Sequence, residues 1–226
     1  MRSLKPLARR SLLALVLIAG STVPAMGQAT PRIEVIVLGG LVGGGDLGDR
    51  KADALGNQAP TSPPATWFST SARIDAAPAI EGRVGVRAFG GFWVEGGVNY
   101  SRPEFVVDIS QDVEGAPDTT ATSQLTEVLV DGSLQYRFKG RRLSPFVLAG
   151  AGYLRQLDDT RATAETGWLA QAGGGVVVRL APGSRGFARR IALRADVRVV
   201  WLRDGVVLEK QRGPGVSALA GVSIGL

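Results

Sequence analysis

Neither cysteine nor histidine occurs among the 226 residues. Without cysteine no disulfide can staple the fold. Without histidine the usual base of serine hydrolases is missing. A zinc site would lack both of its commonest ligands. No catalytic residue, cofactor or metal site is therefore expected. Long apolar runs are scarce as well. Nothing after residue 30 supplies the roughly 20 apolar residues of a spanning helix, so entry into a membrane would have to be by β-strands.

The first thirty residues read as an address. Arg2, Lys5, Arg9 and Arg10 precede the short apolar run Ser11 to Ala19, and small residues around Gly27 and Ala29 offer cleavage sites. Residues 1–29 are expected to be a secretory signal peptide and residues 30–226 one exported domain. This signal holds four of the 26 basic residues and none of the 20 acidic ones, leaving the mature chain near +2. That is no nucleic-acid signature, and no nucleic-acid partner is expected. Some 200 residues can form a core without disulfides.

What is present is a period of two. From Ile191 to Leu202 the odd positions Ile191, Leu193, Ala195, Val197, Val199 and Trp201 are apolar, while Arg194, Asp196 and Arg198 lie between them. Side chains alternate between the faces of a strand, so one face is apolar and the other ionic. Seven further segments show the same pattern: Ile33 to Val42, Ile80 to Ala88, Trp93 to Ser101, Glu127 to Phe138, Pro145 to Leu157, Trp168 to Leu180 and Gly215 to Leu226. Runs of roughly 9–13 residues match tilted membrane strands better than globular ones.

The connections alternate in length. Residues 43–79 and 102–126 are long and are expected to be loops; 89–92 (FGGF) and 139–144 are short; 181–190 is a Gly/Pro turn of middling length. Keeping Val86 and Val94 on one face requires an odd count between them, which favours a three-residue loop in FGGF. GLVGGGDLGD (40–49) lacks the GK[ST] ending of a phosphate loop and is expected to be a flexible loop. Acidic residues crowd the polar loops (Glu104, Asp108, Asp112, Glu114, Asp118, Asp158 and Asp159), but their spacing matches no calcium loop.

If the first strand runs upward, Tyr100, Tyr153, Trp168 and Trp201 fall at the upper end of the outward face, and Tyr136 and Phe138 at the lower end. Two heights of amphipathic rings are what bilayer interfaces select. The inward face shows few large residues, many glycines and charges of both signs. Arg83, Arg87, Arg137, Arg179, Arg194 and Arg198 meet Glu34, Glu95, Glu127, Asp131 and Asp196. Such charges must pair, because an isolated buried ion costs several kcal/mol. Arg87 and Glu95, flanking FGGF on one face, are expected to be direct or diagonal neighbours. A carboxylate-only glycosidase would draw on Glu95, Glu127 and Asp131, but their strand positions favour structural pairing.

Three stretches, VGVRAFGGFWVEGGVNYSRPEF (84–105), PFVLAGAGYLRQL (145–157) and ETGWLAQAGGGVVVRL (165–180), together with the final alternating strand, resemble the eight-stranded OmpA/OmpX-like outer-membrane barrels. The resemblance implies an all-β, antiparallel up-and-down barrel in the bacterial outer membrane, inserted by the barrel-assembly machinery and touching lipid and lipopolysaccharide, with no appended peptidoglycan-binding domain. The expected function is a non-enzymatic structural or surface-interaction scaffold. A narrow solute or ion channel and a soluble lipocalin-like barrel are the alternatives. The second of these needs an apolar lumen and a polar exterior. The sequence sets no oligomeric state.

Overall fold

The computed structural model describes residues 32–53, 66–110, 117–140, 142–158, 164–180, 191–204 and 213–226. The expected signal lies outside them. Every regular element described is a strand: β1 (Ile33–Val42), β2 (Gly45–Asp53), β3 (Thr66–Ile74), β4 (Ala77–Phe89), β5 (Phe92–Ser101), β6 (Glu104–Ser110), β7 (Thr119–Arg137), β8 (Leu143–Asp158), β9 (Ala164–Arg179), β10 (Ile191–Asp204) and β11 (Gly215–Gly225). Eight of them close on one another in the order β1-β4-β5-β7-β8-β9-β10-β11, all pairs antiparallel. The seam is β1 against β11, and Leu226 N adds a hydrogen bond of 2.8 Å to Ile33 O. Closure leaves these strands no unpaired edge, which is the condition for placing strands in hydrocarbon.

The eight period-two segments lie in the eight barrel strands, each within four residues of its expected limits except β7, which begins at Thr119, eight residues before Glu127. The expected long loops are not loops throughout. Residues 43–79 contain β2 and β3, and 102–126 contain β6 and the first part of β7. GLVGGGDLGD accordingly joins the end of β1 to β2 across a break at Gly43–Gly44. These strands continue those of the barrel upward. Past the break at Asp75–Ala76, Asp75 N bonds Glu104 O; past Arg102–Pro103, Leu125 N bonds Pro103 O. The result is a four-stranded sheet, β2-β3-β6-β7, standing on one side of the rim. Its inner face packs Leu47, Ala72, Ile74 and Leu125 against Phe105 and Val107. These strands are short, 7–9 residues, and lack the strict apolar/polar alternation of the barrel strands, so they do not stand out as strands in isolation.

The FGGF turn also differs from expectation. Phe89 pairs with Phe92 across the two residues Gly90 and Gly91, and Ala88 is skipped in the register. The odd count between Val86 and Val94 is met by a bulge in β4 rather than by a longer loop. Gly90 has φ +53°, a conformation open to glycine at little cost, and this suits a two-residue hairpin.

The faces sort cleanly. Along β4 and β5 buried and exposed residues alternate without exception between Ala77 and Val86 and between Trp93 and Ser101. The exposed set is aliphatic: Val37, Val84, Val98, Val130, Leu193 and Val197 are each about half exposed, at 46–54%. The buried set includes Glu81, Arg83, Glu95, Asp131, Arg194, Asp196 and Arg198. Aliphatic outside and ionic inside is the inverse of a water-soluble barrel, and hydrocarbon is the solvent that satisfies it. Replacing outward Val84 by Arg should therefore destabilise the barrel by about 2–4 kcal/mol in urea titrations into lipid vesicles. Thr122→Arg, on the exposed outer sheet, should change it by no more than about 0.5 kcal/mol.

The lumen as candidate functional site

Three inward residues of β10, two apart, place Arg194, Asp196 and Arg198 on one face. On β4 the same spacing places Glu81 beside Arg83. β5 contributes Glu95 and β7 contributes Asp131 and Ser133. These side chains form a closed ring of alternating sign. Arg198 donates from Nη1 and Nη2 to Glu81 (3.0 and 2.8 Å) and from Nη2 to Asp196 Oδ2 (3.0 Å). Arg194 donates from Nε to the same Asp196 oxygen (3.1 Å) and from its two Nη atoms to Glu95 (2.8 and 3.1 Å). Arg83 closes the circuit, with Nε on Glu95 Oε2 (3.3 Å) and Nη1 on Glu81 Oε1 (2.9 Å). It also grips Asp131 with both Nη atoms (3.0 and 2.6 Å) and reaches Ser133 Oγ. Glu81, Arg83, Glu95, Arg194, Asp196 and Arg198 are each no more than 3% exposed.

The ring crosses the lumen rather than following the wall. In the barrel order β5 and β10 are separated by three strands on either side, so the Glu95–Arg194 pair spans the full diameter. A second tie joins Arg137 of β7 to Glu34 of β1 by two bonds of 2.9 and 3.0 Å. Both guanidiniums also stack, Arg137 over Trp93 at 4.4 Å and Arg194 over Phe146 at 4.6 Å. Space for the Arg83 head comes from Gly97, where a Cβ would lie 2.8 Å from Nη1.

Not every inward charge belongs to this ring. Arg87 and Glu95 are diagonal neighbours, as expected, with Arg87 facing Trp93 in the register, but Arg87 donates to Gly90 O (3.1 and 2.8 Å) while Glu95 is held by Arg194 and Arg83. Glu95 thus takes one arginine from the adjacent strand, Arg83, and one from across the lumen, Arg194. Arg179 lies lower and donates to Gly140 O and Ser144 Oγ. Glu127 accepts from Gln156 Nε2 at 2.6 Å. Glu81, which anchors two arginines, was missing from the expected set, although its alternation with Arg83 is plain in the sequence. Large inward apolar residues are also more numerous than expected. Phe146, Leu148, Val177 and Ala192 form one cluster, and Ile36, Leu38, Ala79 and Leu219 another.

Tyr100, Tyr136, Phe138, Tyr153, Trp168 and Trp201 are all exposed on the outer face, at 38–61%. Tyr153 and Trp168 meet edge to face near the upper end (6.0 Å between centroids). At the lower end Phe89, Phe92, Tyr136 and Phe138 form a ladder with successive centroids 4.9, 4.9 and 5.0 Å apart. Of the acidic residues expected in loops, Glu104 and Asp108 sit in β6, Asp118 is exposed just before β7, and Asp112, Glu114 and Asp159 lie outside the described residues, as does the side chain of Asp158. Among the described residues no three acidic side chains gather to hold a metal.

Breaking the ring at one point leaves a buried ion without its partner. Glu95→Gln should cost about 3–5 kcal/mol in urea titrations, and a double-mutant cycle with Arg194→Leu should recover much of that loss. The outer sheet gives a pH-dependent counterpart. Thr120 and Arg73 both donate to the Asp108 carboxylate and hold it below its usual range. That support is complete above the ordinary aspartate value and disappears as pH falls through the depressed one. Amide protection, corrected for intrinsic exchange rates, should therefore fall in β3 and β6 at acid pH before it falls in β4 and β5, and Asp108→Asn should reproduce the loss of protection at neutral pH.

No family model and no curated protein matches the sequence. Solved structures do. Neisserial surface protein A is 15% identical, with 86% of this chain and 97% of that one covered at a TM-score of 0.51. Ail of Yersinia pestis, solved with the heparin analogue sucrose octasulfate, is 11% identical over 85% and 99% at 0.43. The N-terminal barrel of Pseudomonas aeruginosa OprF is 14% identical over 85% and 97% at 0.40. Neisserial surface protein A and this chain share the closed eight-strand order. This chain has the fold of the eight-stranded OmpA/OmpX-like outer-membrane β-barrels.

Proposed function

We propose that the chain is an ion-tight, non-enzymatic barrel of the bacterial outer membrane that holds its strand-extended sheet at the cell surface as a scaffold for contact with lipopolysaccharide, host molecules or neighbouring proteins. The ionic ring carries the reading. Three guanidiniums and three carboxylates bonded across the lumen occupy the cross-section through which a solute would pass. The same bonding argues against catalysis. Glu95 and Asp131, two of the three candidate carboxylates for a glycosidase, are each held by arginine and are not placed as a free acid and base. A lipocalin-like role would need the opposite assignment of faces.

The rim is where variety is available. The sheet β2-β3-β6-β7 rises from one side, with its own apolar cluster and an ion-paired outer face at Arg73, Asp75 and Asp108. Function on shared scaffolds resides in such additions rather than in the barrel. Two measurements test the proposal together. In planar bilayers the refolded protein should give no discrete conductance steps; regular steps would establish the channel alternative. Because the chain has no cysteine, a single introduced thiol reports its own position. Thr122→Cys on the outer sheet should react with a membrane-impermeant maleimide on intact cells, and Lys139→Cys in a lower turn should not. The reverse pattern, or labelling of both, would contradict the surface assignment.

A further inference from the structure

Charge is divided between the two ends of the barrel. The lower connections 139–142 (KGRR) and 181–190 (APGSRGFARR) hold six basic residues and no acidic one, and Arg32, Arg87 and Arg179 stand at the strand ends beside them. The acidic residue nearest this end, Glu34, is taken by Arg137. Acidic residues outside the lumen belong, by their place in the strand order, to the upper end.

The backbone sets the lower bases against one another. Arg179 N bonds Arg142 O at 2.9 Å and Arg87 N bonds Arg32 O at 2.8 Å, so in two cross-strand pairs like charge stands opposite like charge. Such pairs are destabilising, and an anion held between them relieves the repulsion. Arg179 is engaged on the turn itself. It donates to Gly140 O (2.8 Å) and Ser144 Oγ (3.2 Å), which holds the KGRR backbone in place. Lys139 and Arg142 stay exposed, and among the described residues neither makes an ion pair.

The outer face of the same turns points to what carries the anion. Phe138, Leu143 and Leu180 flank them on the lipid side, each about half exposed at 47–50%. The aromatic ladder that ends in Phe138 lies at the level of a membrane interface. The basic turn thus sits where headgroup phosphates lie, beside apolar side chains that acyl chains can cover. A soluble anion would gain nothing from that apolar shelf.

We infer that the lower rim around the β7–β8 turn binds an anionic phospholipid of the periplasmic leaflet, with Lys139 and Arg142 on the headgroup phosphate and Phe138, Leu143 and Leu180 against the acyl chains. The choice of leaflet rests on the orientation proposed above; the site itself rests on the lipid-facing exterior.

The test reconstitutes the refolded chain in phosphatidylcholine vesicles and adds chain-labelled spin probes of phosphatidylglycerol or phosphatidylcholine. The motionally restricted part of the EPR spectrum gives their relative association. Phosphatidylglycerol should be preferred about threefold or more at low salt, and the preference should fall toward one in roughly 1 M salt. Lys139→Gln with Arg142→Gln should remove most of it while the gel mobility of the folded barrel is kept. Lys139→Arg with Arg142→Lys, which preserves the charge, should retain it. Arg155→Gln with Arg203→Gln at the upper end should leave it unchanged. Both ends meet the same lipid in these vesicles, so the result is independent of orientation, which the cysteine labelling on intact cells tests separately. Equal association of the two probes, a preference untouched by the lower pair, or one abolished by the upper pair would overturn the inference. Co-sedimentation with purified peptidoglycan that needs Lys139 and Arg142, without any lipid preference, would overturn it in favour of a polymer.

Discussion

The structure depends on one constraint: hydrocarbon accepts no charge, so every ionic group on a barrel strand must find its partner inside a space one or two side chains wide. The chain meets this with an alternating ring, Glu81–Arg198–Asp196–Arg194–Glu95–Arg83, whose members come from strands on opposite sides of the barrel. Buried ion pairs contribute little net stability against a well-packed apolar core, because desolvation offsets most of the Coulomb gain. Their physical effect is discrimination. A slip of one residue in β4 or β10 would turn Arg83 or Arg194 into lipid and leave the remaining carboxylates bare. The ring thus fixes register where the aliphatic outer face, nearly uniform in Val and Ala, cannot.

The lumen is graded from end to end. Apolar packing around Phe146 and the Glu34–Arg137 tie with its Trp93 stack occupy the lower part, the ring fills the middle, and a small polar cavity lies above. The rim is lopsided for a related reason. Four adjacent barrel strands continue upward as β2, β3, β6 and the first part of β7, while the described parts of the other four stop near the rim. An apolar cluster on the inner face of that sheet gives it cohesion beyond the reach of lipid.

Much of this was legible in the sequence, and the reason is the pleat. Any strand with lipid on one side and a packed lumen on the other must alternate, so the eight barrel strands announced themselves. β2, β3 and β6 did not, because outside the membrane neither face is obliged to be apolar throughout. Interior charges could be placed on the correct face from alternation alone, but their partners could not. The hairpin sets Arg87 diagonally beside Glu95, yet that carboxylate is held by Arg83 of the same hairpin and by Arg194, 99 residues away across the lumen. Glu81, two residues from Arg83 on the same face, stands outside the expected charge set although the same alternation marks it. Arg179 satisfies itself on the carbonyl of Gly140, a bond that no residue pattern announces.

The assignment of faces is the claim on which the rest stands. It is tested most directly by spin labels placed one at a time from Ala192 to Trp201 in bilayer-reconstituted protein, with collision rates measured for oxygen and for a water-soluble nickel chelate. Labels at Leu193, Ala195 and Val197 should collide with oxygen dissolved in lipid and not with the chelate, and labels at the alternate positions should meet neither freely. Chelate collisions at Leu193, Ala195 and Val197 would contradict the account.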